Sequence, residues 1–126
     1  GISKKIFVKN CKKVSNAIIH TTDPNMGSND ENSAMAELRN HCKLSRYSLD
    51  AYAYGLLAYG NIDLIVESSM KYYDIQAPLC VIKAAGGIFS DWRGGNNFTD
   101  GRILASGNDC IHKEALEILA RYTHFD

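Results

Sequence analysis

Residues 71–95 read KYYDIQAPLCVIKAAGGIFSDWRGG, in which Asp74 stands at the head of an apolar run. The spacing predicts a helix from Tyr73 to about Ala85. Pro78 is tolerable there only because it falls near the first turn, where its missing N–H is no loss. Gly86-Gly87 ends the helix, and IFSDW reads as a strand. Helix, glycine stop and strand in that order make the repeating unit of a layered α/β domain. A charge at the head of this helix is either an N-cap or a ligand. Local rules favour the cap, because a carboxylate accepts from the orphan N–H groups of a first turn and suits the helix dipole.

Working outward, DLIVESS (residues 63–69) is a strand whose apolar middle argues for a central position. Before it, DAYAYGLLAY (residues 50–59) is apolar nearly all round and stops at Gly60-Asn61, which predicts a helix buried on several sides. KLSRYS (residues 43–48) is short and extended. Ser28 and Glu31 form a capping box, and the helix they open carries Ala34, Met35, Leu38 and Cys42 on one stripe. NAIIHTT (residues 16–22) is a β-branched strand, closed by the turn of Asp23-Pro24. KKIFVKN, about residues 4–10, alternates like a further strand. Toward the C-terminus RGGNNFTDG is a polar loop and RILASG a strand. The last helix turns Ile111, Leu116, Leu119 and Tyr122 inward. Strands separated by helices predict one domain, a three-layer α/β/α sandwich with a mixed sheet.

Bulk composition narrows the function classes. The 126 residues carry 14 basic and 14 acidic side chains, for a formal net charge of zero. That balance gives no electrostatic case for nucleic acid or an anionic membrane. No apolar run is long enough to span a bilayer, and the first residues lack the apolar core of a signal peptide. The four cysteines form no C-x-x-C pair, so reduced, mostly buried thiols in a cytoplasmic protein are expected. His20, His41, His112 and His124 make no ligand spacing and read as structural.

The central stretch also carries a resemblance. YDIQAPLCVIKAAGGIFSDWRGG is similar to the C-terminal signature of the inositol monophosphatase superfamily, written W-D-x-A-A-x-x-x-I-x-x-x-A-G-G. SRYSLDAYAYGLLAYGNIDLIVESSMKYYD resembles the bacterial histidinol-phosphate phosphatases of that superfamily. Arg46, Asp50, Tyr52 to Ala58, Gly60, Asp63, Leu64, Val66 and Glu67 match their pattern. The likeness covers about residues 14–122. It implies the C-terminal α/β domain of a Mg2+-dependent phosphomonoesterase, whose metal-activated water attacks a small phosphorylated metabolite. The glutamate pair and the D-P-x-D-G-T segment that such enzymes carry in an N-terminal half are not in this sequence. Asp23-Pro24-Asn25-Met26 is a near miss, with a thioether where a second aspartate belongs and hard cations prefer oxygen.

By this resemblance Asp74 is a metal ligand, and capping and ligation can coexist. Glu67 faces the organic moiety of the substrate. Asp50 stands where inositol-specific enzymes carry a small apolar residue. With Glu67 it would form an anionic pocket suited to the ammonium and imidazole of histidinol phosphate. Arg46 approaches the phosphate or closes a salt bridge. The motif departs from the family where Ser48-Leu49 replaces G-G, so the loop before Asp50 is open to a different conformation. The aromatic set Tyr52, Tyr54, Tyr59, Tyr72 and Tyr73 reads as core. A chain of this kind would be inactive alone and would associate, either as a homodimer or with the N-terminal half.

Overall fold

Side chains alternate along five short strands, and that alternation builds one core on each face of a single sheet. The computed structural model describes residues 13–50 and 52–121. The strand expected at residues 4–10, together with Cys11, Tyr122 and His124, lies outside them. The strands are β1 (Ile18–Thr21), β2 (Leu44–Tyr47), β3 (Leu64–Glu67), β4 (Ile88–Ser90) and β5 (Ile103–Ser106), in the sheet order β2-β1-β3-β5-β4. β1 runs parallel to β2 and β3, while β5 is antiparallel to β3 and β4. The helices are α1 (Asn29–His41), α2 (Tyr52–Ala58), α3 (Gln76–Ala84) and α4 (Asp109–Ala120).

On one face, Ile19, Leu64, Val66 and Leu104 pack with Met35 and Leu38 of α1 and with Ile111 and Leu119 of α4. On the other, Ile65, Ile103 and Ala105 meet Tyr54 and Leu57 of α2 and Ile82 of α3. This is the expected α/β/α sandwich, with β3 at its centre and all four of its residues buried. Seven residues are too few for α2 to persist alone in water. Burying Leu57, worth about 1.5–3 kcal/mol, and its neighbours on the sheet holds it in place.

The punctuation follows local chemistry. Ser28 Oγ accepts the Glu31 N–H at 3.2 Å and the Ser28 N–H donates to Glu31 Oε1 at 2.9 Å, completing the capping box. Gly86 closes α3 at φ 86°, which lets the Gly87 N–H donate to the Ile82 carbonyl at 2.9 Å. Among the described residues no helix is long and apolar enough to cross a membrane.

Three expectations need correcting. α2 is not buried on several sides, since Tyr52 and Tyr59 are 69% and 64% exposed. A helix lying on a sheet covers one stripe only, and a tyrosine tolerates the other side because its hydroxyl stays wet. The thiols are not mostly buried either. Cys80 and Cys110 sit on the outer faces of α3 and α4 and are exposed, and Cys42 is half-buried with its thiol donating to the Leu38 carbonyl. Of the five tyrosines read as core, Tyr54 is buried while Tyr52, Tyr59, Tyr72 and Tyr73 are exposed. His112, by contrast, is placed as a structural residue. His112 is buried between the Ser90 and Ser106 hydroxyls, each 2.7 Å from a ring nitrogen, and burial lowers its pKa to about 4.

Candidate active-site cleft

Because β1, β2 and β3 are parallel, their C-terminal ends lie along one edge of the sheet. The chain leaves β1 for β2 by way of α1 on one face and leaves β2 for β3 by way of α2 on the other. The winding therefore reverses between β1 and β3, and open α/β sheets bind ligands outside the strand ends at such a reversal. A cleft of about 510 Å³ opens at that point. Thr22 enters it from the end of β1, Asp50 from the end of β2, and Glu67, Ser69 and Met70 from the end of β3. Tyr73, Asp74, Ala77 and Pro78, from the start of α3, form the facing wall with Met26 and Tyr54.

Glu67 is the buried acid of the cleft, only 2% exposed. Strand alternation puts it on the same sheet face as Ile65, beneath α2 and α3. Thr22 Oγ1–H donates to Oε1 at 2.8 Å and the Thr22 N–H reaches Oε2 at 3.4 Å. These bonds favour the carboxylate, but desolvation outweighs them, and the nearby Asp50 charge adds to it. Together they raise the Glu67 pKa from 4.5 to about 7. Desolvation by burial, with the Glu67 charge as the smaller cause, holds the buried Tyr54 hydroxyl above its ordinary range.

Asp50 lies exposed at the mouth, in a left-handed conformation (φ 49°), and Ser48 two residues earlier has φ 63°. Ser48 thus adopts the conformation that glycine takes freely, at a cost of about 1 kcal/mol for a side chain. Arg46, also exposed, lies on the edge strand β2 and is not among the cleft-lining residues. The structure brings together three of the four residues singled out in sequence and leaves Arg46 outside.

Asp74 does not cap α3. It ends a single 3-10 turn, Tyr72–Asp74, and the N-cap position falls on Ile75, with no side-chain cap bond. Placed there, the third helical position is Pro78, which has no N–H to offer a cap. The Asp74 carboxylate is instead exposed along the cleft, a hard oxygen donor available to a cation. It has too few companions here. Among the described residues no group of three His, Cys, Asp or Glu side chains could hold a metal ion, so this stretch by itself does not fit a complete metal site.

Sequence reading missed several cleft residues. In the sequence Thr22 reads only as part of a strand, Met26 only as a failed ligand, and Tyr73 only as one of the core aromatics. Their signal lay in position, immediately beyond parallel strand ends. The wall at Ser69-Met70 is fixed from both sides. Ser69 Oγ–H donates to the Met26 carbonyl at 2.8 Å, and the Met70 N–H donates to the Gly101 carbonyl at 3.1 Å. Asp23 makes an Asx turn, accepting the Asn25 N–H at 2.9 Å, as its turn reading required.

Residues 2–125 match the inositol monophosphatase family. The chloroplastic bifunctional phosphatase IMPL2 of Arabidopsis thaliana is 37% identical over 123 residues, covering 90% of this chain and 36% of that protein. A histidinol-phosphatase of Chlorobaculum parvum is 29% identical over 85 residues, 68% of this chain and 33% of its own length. Among solved structures, an inositol monophosphatase from Zymomonas mobilis superposes with a TM-score of 0.86 at 30% identity, covering 90% of this chain and 46% of that one. An IMPase/NADP phosphatase complexed with Mg2+ and phosphate shares the fold at a TM-score of 0.73 and 18% identity, over 93% of this chain and 44% of that one. The chain thus spans less than half the length of the proteins it matches.

Proposed function

The chain belongs to the inositol monophosphatase family, and from that premise we propose that it forms the substrate-facing part of a divalent-metal-dependent phosphatase acting on histidinol phosphate. One observation carries the substrate choice. Asp50, Glu67 and Asp74 share a single cleft, and no Lys, Arg or His side chain is among its lining residues. Such a cleft attracts ammonium groups and repels a bare phosphate dianion. A phosphate monoester would enter it with a cation neutralising the phosphate and a cationic group on its organic end. Histidinol phosphate has that charge pattern, and the histidinol-phosphatase relative lends support.

In this reading Asp74 gives one oxygen ligand to the metal, and the remaining ligands come from outside the described residues. When bound, a divalent ion would neutralise phosphate charge and activate water. Asp50 and Glu67 face the cationic organic group, Thr22 orients the Glu67 carboxylate, and Arg46 takes no part inside the cleft. The exposed aromatics Tyr52, Tyr59, Tyr72 and Tyr73 are in keeping with association, either with a second copy or with the rest of the protein. A second reading, inositol 1-phosphate, draws on the likeness to the Zymomonas inositol monophosphatase. Hydrolysis of the two phosphates by the full-length protein, with and without Mg2+, separates them. The expected kcat/KM favours histidinol phosphate by about 100-fold, with no turnover in chelator. Equal or reversed preference overturns the substrate assignment.

A further inference from the structure

We propose that His20 is a specificity-determining positioning residue, whose one neutral imidazole aligns both acidic groups of the cleft. The ligand it serves rests on the reading above, while its geometry does not. His20 stands third in β1, fully buried, opposite Ile65 on one side and Arg46 on the other. Alternation with Ile18 points it to the α2 and α3 face, where Glu67 also points. An apolar side chain would fill that position without the penalty of desolvating two ring nitrogens.

The ring nitrogens have distinct roles. Nε2 accepts the Leu49 N–H at 3.0 Å, so the proton of the neutral ring sits on Nδ1. Burial supports the neutral form, lowering the pKa to about 4. Nδ1 has no hydrogen-bond partner, and it faces Glu67 Oε1 at 3.7 Å. That distance is too long for a hydrogen bond, but a buried N–H dipole at that range still attracts a carboxylate. Thr22 holds Glu67 by direct bonds, and His20 adds a restraint from the core of the sheet.

The other end of the ring acts on Asp50. Leu49 lies between the left-handed residues Ser48 and Asp50, so the bond to Nε2 grips the middle of a turn that would otherwise relax. With an apolar ring the Leu49 N–H would be left unpaired, the turn would loosen and Asp50 would lose its bearing toward Glu67. A protonated ring would lose the acceptor as well. Only the neutral, Nδ1-protonated imidazole serves both acids.

Two variants of the full-length protein test this. His20→Phe keeps the ring volume without either nitrogen, and His20→Gln restores an acceptor and a donor on one amide. In His20→Phe, hydrogen exchange at the Leu49 amide should quicken about tenfold, with His20→Gln recovering most of it. The KM for histidinol phosphate should rise about tenfold in His20→Phe, with kcat and the KM for inositol 1-phosphate changing much less. Unchanged Leu49 exchange, or an equal loss on both substrates that His20→Gln does not relieve, overturns the proposal. Nitrogen NMR of 15N-histidine-labelled wild-type protein decides without a variant: the Nδ1-protonated tautomer is expected, and the Nε2-protonated one refutes it. If the wild type shows no preference for histidinol phosphate, the function reading fails, while exchange and tautomer still judge His20.

Discussion

Replacing Glu67 by glutamine should stabilise the protein, and only at high pH. The Glu67 pKa is raised from 4.5 to about 7, chiefly by burial and despite the opposing pull of the Thr22 bonds. A raised pKa means that the folded state holds the proton more tightly than the unfolded chain does. The stabilisation from that proton is therefore complete below pH 4.5 and disappears as pH rises through about 7. At roughly 1.4 kcal/mol for each tenfold difference in proton affinity, the ionised, buried Glu67 costs about 3 kcal/mol above pH 7. Glutamine never ionises, and its amide oxygen can still accept from Thr22 Oγ1–H. The difference between E67Q and wild type should be near zero at pH 4.5 and approach about 3 kcal/mol in favour of E67Q by pH 8. Urea unfolding midpoints taken in steps of pH measure it. A difference that stays constant with pH, or an E67Q protein less stable than wild type at pH 8, would refute the reasoning that burial governs this carboxylate. The same substitution should weaken recognition of a cationic substrate, which would explain why an acid persists at a position where it destabilises the fold.

Other consequences can be checked alongside. Gly101 has φ 71°, and a Cβ there would lie 2.6 Å from both the N and the O of Met70, so Gly101→Ala should cost about 3 kcal/mol or more. A loss under about 1 kcal/mol in urea unfolding would deny that close approach. Ser28→Ala removes the forward bond of the capping box and should cost about 1 kcal/mol by the same measurement, with no loss at all counting against the capping geometry. Asp74→Asn should raise the half-saturating Mg2+ concentration of the full-length enzyme about tenfold or more while changing stability by less than about 0.5 kcal/mol. Unchanged Mg2+ dependence with a stability loss the size of a cap would return Asp74 to a capping role.

The layered fold was legible because its signals are local. The capping box at Ser28 and Glu31, the glycine stops at Gly60 and Gly86-Gly87, and the apolar run of DLIVESS each act over a few residues, and each lies where local rules put it. Helix environment was less legible. DAYAYGLLAY carries no polar stripe, so nothing local says that Tyr52 and Tyr59 face outward. Asp74 shows the same limit, since a cap depends on where the helical hydrogen bonds begin, and a 3-10 turn ahead of Pro78 moved that point to Ile75.

The site divides along the same line. Sequence alone determined the residue types, most strand and helix boundaries within a residue or two (the start of α3 falling three residues later than expected), and, through the long ordered match, that Asp50, Glu67 and Asp74 belong together. Tertiary structure alone decided that Arg46 stays at the sheet edge, that Thr22 and Tyr73 enter the cleft, and that His20 lies between Glu67 and the Asp50 turn. Periodicity records which way a side chain points from its own element. It carries nothing about which strand ends meet across a sheet whose winding reverses, and in this protein that meeting places the acids in one cleft.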